Sequence, residues 1–464
     1  MSLRQHFSRL MAATIVVAAT VGVTGSTGVE VAHAAGMGAG GEYHPLTPAR
    51  VFDSRPGIAV NDPAPGPKAI SGPGSTFDIQ LLGLGGIPNA PADVLGVVAN
   101  ITVTEPTSTG YLNAYGKDAA AGTAAIINFV AGQTVPNLAI VRPGAEGKLT
   151  IKLAAGTGTA HVIVDVFGWF STSASSDLTG ARLEPVTPGR IFDTRSGLNR
   201  SAPETPLAAG EFVTIPIRGV DAAEPTTTDI VPNSANVVGV VLNMAGVNNI
   251  AGSANTHLSV IPSNLAAGTA PSTANLNLAR GQVKSNMVIV PVDPTDGSIR
   301  VYNNSGTTHV VLDVVGYLVK RRDETRGGRV VPLGAPYRVF DTREAQWQSV
   351  PLGAGQAEDW SFSDFAGSVT IGGVEVGKQL GVIGNLTSAS LTRQYPTIPV
   401  ASYLTVYPSD AAVRPTSANL NMTEGPPTPN MVIMKYSATT TVRVYNYAGN
   451  NHYIYDASAV ILSD

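Results

Sequence analysis

The sequence predicts an all-β protein of three tandem β-sandwich repeats, Ig-like or jelly-roll-like, on three observations. A set of motifs recurs three times in the same order. The apolar runs are short and rich in β-branched residues. Turn signals bracket those runs. The opening motif reads Pro48-Ala49-Arg50-Val51-Phe52-Asp53-Ser54-Arg55, then Pro188-Gly189-Arg190-Ile191-Phe192-Asp193-Thr194-Arg195, then Pro336-Tyr337-Arg338-Val339-Phe340-Asp341-Thr342-Arg343. The Arg-to-Arg offsets are 140 and 148 residues. A second motif, Asn-x3-Gly-x4-Asn, places Asn128, Gly132 and Asn137 in the first copy. It places Asn277, Gly281 and Asn286 in the second, and Asn421, Gly425 and Asn430 in the third. A further Asn recurs at Asn100, Asn243 and Asn385, and each copy closes on His161 with Asp165, His309 with Asp313, or His452 with Asp456.

The strand reading follows from the runs themselves. Val97 to Val103, Val237 to Leu242, Ser298 to Tyr302 and His161 to Val166 are short, with β-branched residues prominent. Asp296-Gly297, Asn304-Ser305-Gly306 and Gly449-Asn450 supply turns. No segment sustains the apolar period of about 3.6 residues that a helix requires.

Composition narrows the class. The 464 residues include no Cys, 13% charged residues and a formal net charge of -4. That balance gives no electrostatic footprint for nucleic acid. Residues 1–34 read as a secretory signal: Arg4 and Arg9 precede an apolar stretch from Met11 to Val23, and Ala32-His33-Ala34 fits a small-x-small cleavage site. A membrane anchor is the competing reading, but the apolar stretch is short and diluted by Thr and Gly. Removing the signal takes away a net charge of +1 and leaves the mature chain near -5. No other stretch approaches the roughly 18 apolar residues of a spanning helix, so no membrane insertion is expected after signal removal. An exported chain without Cys must hold each domain by its packed core rather than by disulfides.

The expected organisation is therefore a signal peptide at 1–34, a Gly-rich segment at 35–42, repeat 1 at 43–171 and a Ser-rich linker at 172–182. Repeat 2 spans 183–319, a charged linker 320–329, and repeat 3 330–464. The short linkers predict closely spaced beads with limited freedom.

The repeated polar residues admit a structural and a functional reading. Strict strand alternation places Arg50, Phe52 and Ser54 on one face and Val51, Asp53 and Arg55 on the other. His161, Ile163 and Asp165 share a face of the closing strand. The structural reading is an ion-pair network tying the first strand to the last, formed by Arg50, Asp53, Arg55, His161 and Asp165. Its counterparts are Arg190, Asp193, Arg195, His309 and Asp313, and Arg338, Asp341, Arg343, His452 and Asp456. It predicts that Asp193 pairs with Arg195 or Arg190, and that Asp193→Ala costs roughly 3–5 kcal/mol by stranding a buried Arg. The functional reading is a site for an acidic sugar or carboxylate in each repeat. The Asn pairs read as satisfiers of backbone groups where a hairpin meets the core, with carbohydrate hydrogen bonding as the alternative.

Catalytic and metal patterns are thin. His44, His161, His257, His309 and His452 show no ligand spacing among themselves, and no cofactor or metal is expected. Asp293-Pro294-Thr295-Asp296-Gly297 reads as a β-turn rather than a calcium loop. Asp-Thr-Arg differs from the Asp-Thr-Gly of aspartic proteases, no Gly-x-Ser-x-Gly elbow occurs, and a non-enzymatic protein is expected. Trp169, Tyr317, Tyr403 and Tyr407 are the candidate glycan or surface contacts. Trp169 and Tyr317 read as rim positions, and Tyr403 and Tyr407 as neighbours on one strand face.

Taken as a set, the opening, central and closing motifs resemble a tandem repeat family of secreted proteins from high-GC Gram-positive bacteria, often accessory to cell-wall hydrolases. The resemblance spans nearly all of 43–462 and implies an extracellular accessory or surface-associated role, without an assigned activity. Repeat 3 departs from the pattern: Ala459 stands where Gly168 and Gly316 do, and Pro426 where Gln133 and Gln282 do. A terminal cap or a partner-facing unit would explain that departure. The expected partners are cell-wall or extracellular polysaccharide or a surface protein. The alternative is a structural subunit of an extracellular sheath, appendage or other homo-oligomeric assembly.

Overall fold

The computed structural model describes residues 40–464 except 58–68, 123, 156, 173–174, 176, 178, 201, 266–267, 322, 324, 348, 364–369, 372–373, 376, 393–400 and 426. The expected signal segment and the Pro426 position lie outside the described residues. The described chain is all-β, with one 3-10 turn at Ala145–Gly147 and no α-helical element. No helix among the described residues is long and apolar enough to cross a membrane.

Each repeat contributes two sheets of four main strands. In repeat 1 the first sheet runs Tyr43–Asp53, Thr159–Ser171, Val94–Thr104, Val135–Val141. These are the opening, closing, central and axial strands. The second sheet runs Thr76–Gln80, Lys148–Ala155, Gly110–Gly116, Ile127–Phe129. Repeat 2 gives Arg182–Asp193, His309–Val319, Val237–Val247, Val283–Pro291, and a second sheet of Phe212–Pro216, Ser298–Asn303, Thr256–Pro262, Leu276–Leu278. Repeat 3 gives Val330–Asp341, Asn450–Leu462, Gln379–Thr392, Thr428–Lys435, and Ala357–Ser361, Thr441–Asn446, Ala401–Pro408, Leu420–Thr423. Counted along the chain within a repeat, both sheet orders are the same in all three: 1-8-3-6 and 2-7-4-5.

Strand alternation explains the closing strand of repeat 1. Val162, Val164 and Val166 are fully buried, and they join Ile79, Leu112 and Ile151 of the second sheet in one core. Repeat 2 builds its core in the same way, from Val240 and Leu312 with Leu258 and Val301.

Alternation fails in the opening strand. Arg50 lies opposite Asp165 while Phe52 lies opposite Val164, so Val51 is an extra residue in the ladder. The same bulge recurs between Arg190 and Phe192 and between Arg338 and Phe340. A bulge re-aims the side chains around it. Val51 and Phe52 are both buried in the core, and Arg50 swings to the side of Asp53 and Asp165. The expected faces are corrected accordingly.

The repeats are not beads. Their axial strands contact one another. Leu138, Met287 and Met431, then Ile140, Ile289 and Ile433, are buried in a single cluster that draws on all three repeats. The segments that begin each repeat also pair in a closed triangle. Gly41 and Val330 exchange backbone hydrogen bonds, as do Tyr43 and Ala181, and the Leu183 N–H donates to Gly328 O. At this triangle Arg182, 1% exposed, donates to Glu42 at 3.3 Å, Asp323 at 2.6 Å and Thr325 at 2.9 Å. The described linker residues are therefore fastened to the ring rather than acting as joints.

Because the axial core is shared, the chain should melt in one cooperative transition. Calorimetric and van't Hoff enthalpies should agree. Three resolved transitions in a calorimeter scan would contradict the shared core.

Candidate functional site

The repeated polar residues lie on one transverse row of each first sheet. In repeat 1, Arg50 is the register partner of Asp165, Asp165 of Asn100, and Asn100 of Leu138 beside the axis. Repeat 2 aligns Arg190, Asp313, Asn243 and Met287. Repeat 3 aligns Arg338, Asp456, Asn385 and Met431.

The outer part of the row is an ion network. Arg50 Nε and Nη2 donate to both oxygens of Asp165 at 2.8 and 3.2 Å, and Nη1 donates to Asp53 at 3.2 Å. Arg55 forks onto the same Asp53 at 2.9 and 2.6 Å. Arg338, Asp456, Asp341 and Arg343 repeat this pattern. Repeat 2 departs in one bond: Arg190 Nε reaches Asp313 at 2.9 Å, and its Nη2 crosses to Thr416 O of repeat 3 at 2.9 Å. Asp193 accepts from Arg195 at 2.9 and 2.7 Å and from Arg190 at 3.4 Å.

Two kinds of carboxylate result. Burial pushes Asp53, Asp193 and Asp341 up, but hydrogen bonds from the side chain and backbone of the following Arg outweigh it, leaving each below the ordinary range. Burial pushes Asp165, Asp313 and Asp456 up and prevails over their Arg partners.

The closing His meets the hydroxyl after each Asp. His161 Nδ1 lies 3.1 Å from Ser54 Oγ, His309 Nδ1 2.8 Å from Thr194 Oγ1, and His452 Nδ1 3.2 Å from Thr342 Oγ1. Each hydroxyl also accepts a backbone N–H, from Val162, Val310 or Tyr453. Ser54, Thr194 and Thr342 are fully buried, which denies a substrate access to these oxygens.

The inner part of the row closes the ring. Asn137 Nδ2 donates to Asn385 Oδ1 at 2.9 Å, Asn286 to Asn100 at 3.1 Å, and Asn430 to Asn243 at 3.1 Å. In return, the Leu138, Met287 and Met431 N–H groups donate to Asn286, Asn430 and Asn137. Asn100, Asn243 and Asn385 donate to Ala274, Ala418 and Ala125 carbonyls of the next repeat. These Asn residues do bond backbone groups, as expected, but across repeats as well as within one. Asn137, for example, also caps Ile126 O of its own repeat at 2.7 Å. Sequence reasoning also missed Arg182. Glu42, Arg182 and Arg329 occupy matching positions one residue before Tyr43, Leu183 and Val330, and that shared offset was the available signal.

The aromatic candidates separate. Trp169 is 4% exposed and stacks on His44 at 4.1 Å, so it is not a rim residue. Tyr317 is half-buried against the repeat 2 core, and Tyr407 is buried. Tyr403 is half-exposed and stacks on Tyr447 at 4.7 Å and 13°. Tyr447, which sequence reasoning passed over as a contact, is 53% exposed. Beside them the Arg414 guanidinium lies 4.0 Å above the Tyr445 ring. At Asp293–Gly297 the carboxylates accept from Thr295, Ser263 and Ser298, which makes a self-contained turn. No cluster suited to a metal occurs among the described residues.

No protein-family model matches the chain, and no curated protein matches it. Among the solved structures that match the chain, three show low similarity. One belongs to work on the triple jelly roll fold and turret assembly in an archaeal virus, with 11% identity, 90% coverage of each chain and a TM-score of 0.16. A second, from Sulfolobus turreted icosahedral virus, has 11% identity over 91% of this chain and 92% of its own, with a TM-score of 0.17. The N-terminal CBM22-1–CBM22-2 tandem domain of Paenibacillus barcinonensis Xyn10C has 12% identity over 61% of this chain and 94% of its own, with a TM-score of 0.16. At such TM-scores these likenesses carry no argument about this chain.

Asp193 allows a direct test of the network. The Arg195 side chain is 41% exposed and Arg190 keeps Asp313, so water and the second carboxylate relieve the stranded charges. Asp193→Ala should therefore cost about 1–3 kcal/mol, less than a sealed ion pair would. Because the folded Asp193 pKa lies below the unfolded value of about 3.9, its contribution is full above that pH and lost as pH falls through the folded value. Melting temperatures below about pH 5 should fall less steeply in Asp193→Asn than in the parent. Parallel acid limbs would show that Asp193 carries no such linkage.

Proposed function

We propose that each repeat is an eight-stranded jelly-roll sandwich and that the chain is a secreted, non-enzymatic protein binding extracellular polysaccharide or another envelope surface. The jelly-roll reading is supported by the two sheet orders, 1-8-3-6 and 2-7-4-5, around one core. The observation that carries the functional reading is the fate of the repeated Arg, Asp, His and Asn residues. They pair inward, tying strands and repeats together, and this supports a scaffold whose recognition lies outside the motifs.

In this reading the recognition face is the second sheet of repeat 3. Tyr403, Tyr445 and Tyr447 offer ring faces and phenol hydroxyls, and the chemistry suits sugar rings, which combine apolar faces with polar edges. The positions matching Tyr403 opposite the first motif Asn are Tyr111 and His257. The three repeats thus share a frame and differ in what they display.

Residues 35–464 should be retained on purified cell wall or an insoluble polysaccharide as a monomer by light scattering. Retention should fall at least tenfold in Tyr403→Ala/Tyr447→Ala, with melting unchanged. Unaltered retention would move recognition off this face. Absence of retention together with large ordered particles would support a structural subunit instead.

A further inference from the structure

A cleft of about 550 Å³ opens at the seam between repeats 1 and 2. We propose that it binds a sugar residue bearing a carboxylate, a uronic-acid type, distinct from the tyrosine face of repeat 3. Three kinds of group converge there. Arg218 and Lys320 are cations of repeat 2 and its following linker. Asp177 and Thr179 of the first linker offer a carboxylate and a hydroxyl. Trp169, Pro45 and Val238 make apolar walls.

Trp169, Asp177, Thr179 and Arg218 are held in place. Trp169 stacks on His44, and His44 Nδ1 lies 3.2 Å from Asp177, pinning the linker to the opening strand. Thr179 donates to Asp177 through both its backbone N–H and its hydroxyl. Arg218 donates from Nε to Val237 O at 3.0 Å and from Nη1 to Pro294 O at 3.1 Å. Gly297, at φ +70°, makes this approach feasible, because a Cβ there would meet Arg218 Cδ at 2.5 Å. The Lys320 backbone is fixed to Asn236 O and its side chain is exposed. Such preorganisation lowers the entropic cost of capturing a ligand.

The ligand class follows from the combination. Two cations against one carboxylate favour an anion, and Arg with Lys suits a carboxylate. The Asp177 carboxylate suits hydroxyl donors, which a simple carboxylate lacks. The apolar walls suit the face of a ring. Among the described residues, the other two repeats lack the His–Trp pair at this position. At the register position of His44 and Trp169, repeat 2 has Glu184 and Tyr317 and repeat 3 has Val331 and Val460. Glu184 is occupied by Arg321 at 2.7 Å.

Titration calorimetry of the mature chain with trigalacturonate should give one saturable site that weakens with salt. Cellotriose, a neutral sugar, and a tripeptide with a free C-terminal carboxylate should bind at least tenfold more weakly. Lys320→Glu, an exposed change, should weaken trigalacturonate at least tenfold with melting unchanged, while Tyr403→Ala/Tyr447→Ala should leave it intact. Equal binding of cellotriose would overturn the role of the cations, and equal binding of the tripeptide would overturn the sugar assignment. Loss of trigalacturonate in the tyrosine variant but not in Lys320→Glu would place the acidic ligand on the other face. No binding at millimolar concentration would sink the proposal, whatever the retention of the chain on polysaccharide.

Discussion

Closure of the ring by buried asparagines is the constraint on which the rest of this structure depends. A primary amide brings two donors and an acceptor into a site that excludes water, and an unmet group there costs about 1–3 kcal/mol. Asn137, Asn286 and Asn430 are each at most 2% exposed. Each gives a hydrogen bond to one neighbouring repeat and receives a backbone N–H from that same repeat: Asn137 from repeat 3, Asn286 from repeat 1 and Asn430 from repeat 2. A single repeat could not satisfy them, and two repeats would leave one link open. Three close the cycle. The apolar layers at the axis supply the area, and the amides select the register in which that area is buried.

The Arg–Asp network extends the same row outward. Arg50 meets Asp165, Asp165 neighbours Asn100 in the ladder, and Asn100 accepts from Asn286 of repeat 2. The opening bulge is what makes this row continuous, because it turns Arg50 and Asp53 to one side while leaving Val51 and Phe52 in the core. Two motifs that stand far apart in the sequence, Arg-x-Phe-Asp and the second Asn of Asn-x3-Gly-x4-Asn, are therefore parts of one polar layer. Its pairing lends specificity to strand order within a repeat at the outer end and to repeat order at the inner end.

Much of this was legible in the sequence. Recurrence at matched spacing exposed Arg50, Asp53, Asp165 and their counterparts, and β-branched runs marked strands such as Val97 to Val103. The ring was not, because repetition says that units are alike and is silent on how they meet. Asn100 and Asn286 are 186 residues apart, beyond any local pattern. One signal was present. Apart from Asn137, the run from Val135 to Val141 is apolar on both faces, and such a strand needs cover from outside its own sheet; all seven residues are buried. Leu138 and Ile140 sit on the face that the other repeats cover. The bulge was hidden for a different reason: strict alternation gives no sign of an inserted residue. Trp169 was misread as a rim position because its burial depends on His44, which lies 125 positions earlier.

The ring also changes what three repeats can do. Flexibly joined units would gain avidity by each finding its own contact. Units fused at an axis present their surfaces at fixed separations, and here those surfaces differ. The Arg, Asp and Asn of the inward row recur in all three repeats, whereas the positions of His44, Glu184 and Val331, and of Tyr111, His257 and Tyr403, diverge. Threefold similarity is thus a property of the frame. The described linker residues, fastened across the seams by contacts such as Arg182 to Asp323 and His44 to Asp177, become walls of the surface they cross. A cleft such as the one beside Trp169 belongs to no single repeat. It exists because the ring holds two of them, and the chain between them, in one arrangement.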